Sequence, residues 1–125
     1  RTMKNLNLLL ISKNKQRFSD LKQALVAHGQ HRVRCCSKPE EVYQAIAAGK
    51  IDGVIVDEEV EGGTGLDFIR ELTRRNPFVN CALVSSLYVD EFHEATEGYG
   101  VFMQIPPHPG LKEAEQIGTH LSKIC

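Results

Sequence analysis

Gly53-Val54-Ile55-Val56-Asp57-Glu58-Glu59-Val60-Glu61-Gly62-Gly63-Thr64-Gly65-Leu66 is the stretch that decides the fold. Three β-branched residues in unbroken succession suit a strand covered on both faces, as in a parallel sheet. The run stops at a carboxylate, Asp57, and opens into a glycine-rich turn. Open α/β sheets carry their sites at the carboxyl ends of the strands. Asp57 is therefore the leading candidate for a reactive or binding group.

Along the whole chain, strand and helix signals alternate five times. Leu6 to Ile11, apolar except at Asn7, reads as a second buried strand. Phe18, Leu21, Ala24 and Leu25 recur at helical spacing, and that helix stops at His28-Gly29. Val33 to Cys36 is a short strand. Ser37-Lys38-Pro39-Glu40 has the Ser-x-x-Glu form of a capping box, with proline in the first turn where its missing N–H is harmless. The helix beyond it carries Val42, Ala45 and Ile46 inward and ends near Gly49. After Asp57, Leu66, Ile69 and Leu72 mark a third helix that ends at Asn76-Pro77. Cys81 to Val84 is the next strand and ends at Ser85-Ser86. A polar fourth helix runs from about Asp90 to Glu97. Val101 to Ile105 is the last strand. Leu111, Ala114, Ile117, Leu121 and Ile124 stripe the final helix, in which Gly118 costs about 1 kcal/mol relative to alanine.

Strict alternation of strands and helices predicts a parallel sheet with helices on both faces. Right-handed crossovers and five units give a flavodoxin-like α/β three-layer sandwich, with strand order 2-1-3-4-5 and five helices. One domain spans residues 4–125. Arg1-Thr2 ahead of Met3 reads as an expression scar or an excision point.

The 125 residues suit one core. Apolar residues make up 42% and charged residues 25%, ordinary for a globular protein, and the net charge of −1 gives no general case for nucleic acid or an anionic membrane. No apolar stretch is long enough to span a bilayer and no secretory signal is visible, so a cytoplasmic protein is expected. Cys35, Cys36, Cys81 and Cys125 form no CxxC pair and read as reduced thiols. No phosphate-cradling GxxxxGK[ST] or GxGxxG motif opens a helix, no Ser-His-Asp set is suggested, and His108 reads as an exposed loop residue. Nothing in the pattern points to an enzyme.

From Asp57 through Leu66 the chain resembles a response-regulator receiver domain, the phosphorylatable module of two-component signalling and phosphorelays. The resemblance covers nearly the whole chain. It implies a phosphoacceptor at Asp57, with Gly65-Leu66 opening the third helix at the family's spacing. It also implies a switch pair, Ser85 at the end of the fourth strand and Phe102 on the fifth, with Pro106 at the place of the family's Lys-Pro dipeptide. Without a phosphate, both switch residues also suit plain structural roles, a turn cap and a core aromatic.

The chain departs from the family at three of the five defining places. The first strand leads into Ser12-Lys13-Asn14, where the family has two acidic residues that hold Mg²⁺. Ile105 stands where the family has its lysine, with Gln104 beside it. Glu61 replaces the usual proline. Moving a phosphoryl group onto a carboxylate gathers negative charge that cations must offset. Mg²⁺ is held by one or two carboxylates plus phosphate oxygens, and Asp57 alone offers one. The expected function is thus that of a degenerate receiver acting through protein contacts, with weak or absent phosphorylation. Glu59 is the candidate for holding Mg²⁺. Lys13 is expected to replace the missing cation by pairing with Asp57, and Ser12 and Ser86 to line the same pocket.

The implied partners are a histidine kinase, a phosphotransfer protein or an output domain. The surface of the fourth helix, fifth strand and final helix is the implied place for a partner or homodimer contact. Asp90, Glu91, Glu94 and Glu97 make it acidic. Two other readings stand beside this one: a working phosphoacceptor with weakly held Mg²⁺, and a small-molecule-binding domain using the crevice at the strand ends.

Overall fold

A computed structural model describes residues 5–125 of the chain; the Arg1-Thr2-Met3 reading lies outside the described residues. The strands are β1 (Asn7–Ile11), β2 (Arg32–Cys36), β3 (Gly53–Val56), β4 (Glu59–Val60), β5 (Gly63–Thr64), β6 (Cys81–Val84) and β7 (Val101–Ile105). The helices are α1 (Ser19–Ala27), α2 (Pro39–Ala48), α3 (Gly65–Arg75), α4 (Val89–Thr96) and α5 (Leu111–Ile124). A 3₁₀ turn, Lys15–Phe18, precedes α1.

Five strands form one parallel sheet in the order β2-β1-β3-β6-β7, the flavodoxin-like arrangement expected. Alternation along the strands divides the core. Leu8, Leu10, Ile55, Ala82 and Val84 face α1 and α5, while Leu9, Ile11, Val54, Val56 and Leu83 face α2, α3 and Phe92 of α4. Burial on both faces explains why β1 after Asn7, β3 and β6 read as continuous apolar runs.

Three local features differ from expectation. The segment after Asp57 is no open turn. Glu59 pairs with Thr64 and Val60 with Gly63 in a small antiparallel hairpin, whose turn uses Gly62 at φ +94°. Val60 pins it to the core at 3% exposure. The start of α2 uses Glu41 rather than Glu40. The Glu41 carboxylate accepts the N–H groups of Ser37 and Lys38 at 2.9 and 3.0 Å and the Ser37 hydroxyl at 3.1 Å. Those bonds hold its carboxyl below the usual range. Finally, β7 carries a bulge, with Val101 opposite Cys81 but Met103 opposite Ala82, so Phe102 is the extra residue.

Candidate functional site

Asp57 follows β3 at the carboxyl edge of the sheet, its N–H bonded to the Ile11 carbonyl at 3.0 Å. Only 2% of it is exposed. Gly65 explains the tight seat. A Cβ there would stand 1.9 Å from the Asp57 carbonyl oxygen, so only glycine lets α3 begin at this point.

Both carboxylate oxygens are engaged. Glu58 donates its N–H to Oδ1 at 2.7 Å. Oδ2 lies 2.6 Å from the Ser12 hydroxyl and 3.2 Å from Nε of Arg17. The Ser12 hydroxyl also lies 2.8 Å from the Asn14 carbonyl and accepts the Asn14 N–H at 3.0 Å, which holds the β1–α1 loop against the aspartate. Arg17 arrives from the 3₁₀ turn, which Asn14 caps by accepting the Gln16 N–H at 3.0 Å and which Phe18 anchors in the core. The far side of the guanidinium reaches Glu58, 4.0 Å from its carboxylate.

Arg17 therefore holds the position expected of Lys13. Lys13 is exposed, and among the described residues it makes no ion pair with Asp57. Its backbone N–H instead donates to the Glu59 carbonyl at 3.3 Å. The physical reason is reach. Lys13 directly follows Ser12 and turns outward, whereas one 3₁₀ turn carries Arg17 back over the pocket.

The other expected residues are dispersed. Ser12 is in the pocket, as described. Ser86 is exposed, with no hydrogen bond to Asp57 among the described residues. Ile105 is 0% exposed and belongs to the α1/α5 core, so it is no pocket residue. Ser85 uses its hydroxyl to accept the Leu87 N–H at 3.1 Å. Phe102 is not beside it: its ring packs on the α5 side, 5.8 Å from that of His120. Counting back from Ile105, strict alternation would put Phe102 on the face of Gln104; the bulge sends it to the other. The β7 residue that does reach Ser85 is Gln104. Its amide nitrogen donates to the carbonyls of Ser85 at 3.2 Å and Leu87 at 2.8 Å, bracing the β6–α4 loop.

The residues present do not fit Mg²⁺. A dication at Asp57 would face the Arg17 guanidinium. The Glu59 side chain is exposed on the hairpin, and the Glu59 carbonyl already accepts from Lys13. Among the described residues, no group of three or more His, Cys, Asp or Glu converges as metal ligands do. The groove beside the pocket, lined by Leu66, Leu83, Leu87 and Phe92, holds about 220 Å³, small for an organic ligand. A larger cleft of about 500 Å³ lies elsewhere, between α1 and α5. Burial pushes the Cys81 thiol up to about 12, so that cysteine is inert. Among the described residues, no helix is long and apolar enough to cross a membrane.

No protein-family profile matches the chain, and no curated protein matches it. Its fold is that of receiver domains. It superposes on the receiver domain of the Saccharomyces cerevisiae response regulator Ssk1, co-crystallised with the histidine phosphotransfer protein Ypd1, with a TM-score of 0.79 at 12% identity, covering 99% of this chain and 93% of that one. The receiver domain of the Francisella response regulator 1452 gives 0.78 at 14% identity, covering 96% and 98%. Brucella abortus NtrX gives 0.76 at 16% identity; 97% of this chain is covered, but only 28% of NtrX.

Proposed function

We propose that the chain is a degenerate receiver, a signalling domain that works through protein contacts with Asp57 held by Arg17 instead of a phosphoryl group. The observation that carries this reading is the Arg17–Asp57 bond at 3.2 Å. Phosphoryl transfer to a carboxylate needs cations set around the incoming phosphoryl group. Here the guanidinium and the Ser12 hydroxyl both sit on the nucleophile itself, and Ile105 contributes no cation. The loop that would follow a phosphoryl group is braced by Gln104, and the Ser85 hydroxyl oxygen accepts the Leu87 N–H.

The interaction role is supported by the Ssk1 receiver, which is bound to a phosphotransfer protein in its crystal. The same class of partner, a kinase or an output domain suits this chain, as does a homodimer through α4, β7 and α5. Incubation with Mg²⁺ and acetyl phosphate, read by intact mass with Asp57→Asn as control, tests the reading. No phosphate-sized gain is expected. A gain that disappears in the control would establish the rival, a working phosphoacceptor, in which Arg17 swings toward Glu58.

A further inference from the structure

The net charge of −1 conceals a strong separation along the chain. Residues 1–38 contain nine of the fifteen Lys and Arg and one of the sixteen Asp and Glu. The fold gathers the described part of that excess around β1, α1 and β2. Lys13, Lys15, Lys22, Arg32, Arg34 and Lys38 are all exposed. Among the described residues none of these six lies within ion-pair distance of a carboxylate, whereas Arg70, Arg74 and Arg75 on α3 are each paired. Among the described residues of the region, the cation that is spent is Arg17, on Asp57 and Glu58.

The same region is an open sheet edge. Among the described residues β2 pairs with β1 alone. Arg32 donates its N–H to the Leu6 carbonyl at 2.8 Å, and the Cys36 carbonyl accepts from Ser12 at 3.3 Å, so residues of this parity turn inward. In a parallel ladder the intervening residues, Val33 and Cys35, turn their N–H and C=O groups to the free edge. A groove flanks the strand on each face. One, about 330 Å³, lies on the α2 side and is lined by Arg32, Arg34, Lys50 and Ala45. The other, about 370 Å³, lies on the α1 side and is lined by Lys15, Lys22, Phe18 and Cys35. Glu41 also borders the second, but its carboxylate is occupied by the turn before α2.

We infer that β2 is a docking edge for an acidic, extended segment of a partner protein, which adds a strand beside Val33 and Cys35. Main-chain bonds to the edge supply affinity, and alternate side chains of the added strand fall into the two grooves. Carboxylates there meet arginines on one face and lysines on the other. Electrostatic complementarity favours an acidic segment over a neutral one and speeds its encounter. The opposite edge, β7, is interrupted by its bulge and offers a poorer template. The inference deepens the interaction role proposed above, yet it uses a different face and does not depend on the state of Asp57.

The test is fluorescence anisotropy with a labelled peptide of alternating Glu and Val, alongside a labelled DNA duplex, at physiological salt. Arg32→Glu/Arg34→Glu reverses the charge. Cys35→Pro removes one outward N–H and leaves every cation in place, a substitution an edge strand tolerates. Each change is expected to weaken peptide binding about tenfold or more. In the unmodified protein, added peptide is expected to slow amide hydrogen exchange at Val33 and Cys35. That readout decides the matter even if the proline variant does not fold. Failure of the peptide to bind, unchanged exchange at those two amides, or tighter binding of the duplex that ignores Cys35→Pro would overturn the inference. A phosphate on Asp57 would overturn the degenerate reading alone.

Discussion

The Asp57 pocket and the β2 edge are separated by a single strand, yet they treat charge in opposite ways. In the pocket the carboxylate is 2% exposed and meets a hydroxyl, a backbone N–H and a guanidinium, which in turn reaches Glu58. At the edge, Arg32, Arg34, Lys15 and Lys22 stand in water with no carboxylate at ion-pair distance among the described residues. A buried charge with all its partners present fixes one conformation, and removing a partner is costly. Exposed unpaired charges add little to stability and remain free for another molecule. The pocket is thus closed on itself, and the edge is open to a partner.

The largest expected contrast is steric. Gly65→Ala would drive a methyl group into the Asp57 carbonyl, for a loss of about 3 kcal/mol or more. Gly49→Ala, at the end of α2 near the edge, meets no atom within 4 Å and is expected to change stability by less than about 1 kcal/mol. Urea unfolding of both variants measures this. Equal losses would mean that the pocket is no tighter than the edge.

Electrostatic truncation comes next. Arg17→Ala leaves a buried carboxylate short of its cation and is expected to cost about 2 kcal/mol. Arg34→Ala is expected to stay within about 0.5 kcal/mol. The same denaturant titrations check both values, and a larger loss at Arg34 would reverse the contrast.

A third difference is in pH. His31, just before β2, is 6% exposed and its Nδ1 accepts the Leu6 N–H at 3.0 Å. Burial pushes its imidazole below the usual value, with Asp52 opposing in part. Below about 6.5 the unfolded chain binds a proton that the native histidine resists. This contribution to stability is complete above that pH and declines as pH falls toward the depressed native value. His31→Asn keeps an acceptor without a titration, so its denaturation midpoint should lose that slope between pH 7 and 5. A slope unchanged in the variant would assign the effect elsewhere.

The smallest effect is that of salt. Raising ionic strength well above physiological should weaken the acidic peptide at β2, whose cations are exposed, and leave the thermal midpoint nearly unmoved, because the Arg17–Asp57 pair is largely shielded. Anisotropy and melting over one salt series compare the two regions directly.

How much the sequence disclosed follows the same division. The parallel sheet was legible because β1 after Asn7, β3 and β6 are buried on both faces and leave unbroken apolar runs. Asp57 was legible as the residue that ends one of them, and Gly65-Leu66 as the start of α3. The hairpin of β4 and β5 was not, since two-residue strands are too short to show a period. Arg17 escaped because a long side chain acts at a distance from its backbone, and the residue beside the strand, Lys13, drew the expectation instead. The positions of Phe102 and Gln104 depend on a bulge, which adds one residue and reverses alternation without marking itself in composition.

The most direct test of the central claim, that Arg17 supplies the charge which holds Asp57, is a double-mutant cycle in unfolding free energy with Arg17→Ala, Asp57→Asn and the pair combined. A coupling of about 1–3 kcal/mol is expected, the second change costing little once the first is made. Strict additivity of the two losses would show that Arg17 and Asp57 do not sense one another, and would leave the aspartate free for a phosphoryl group.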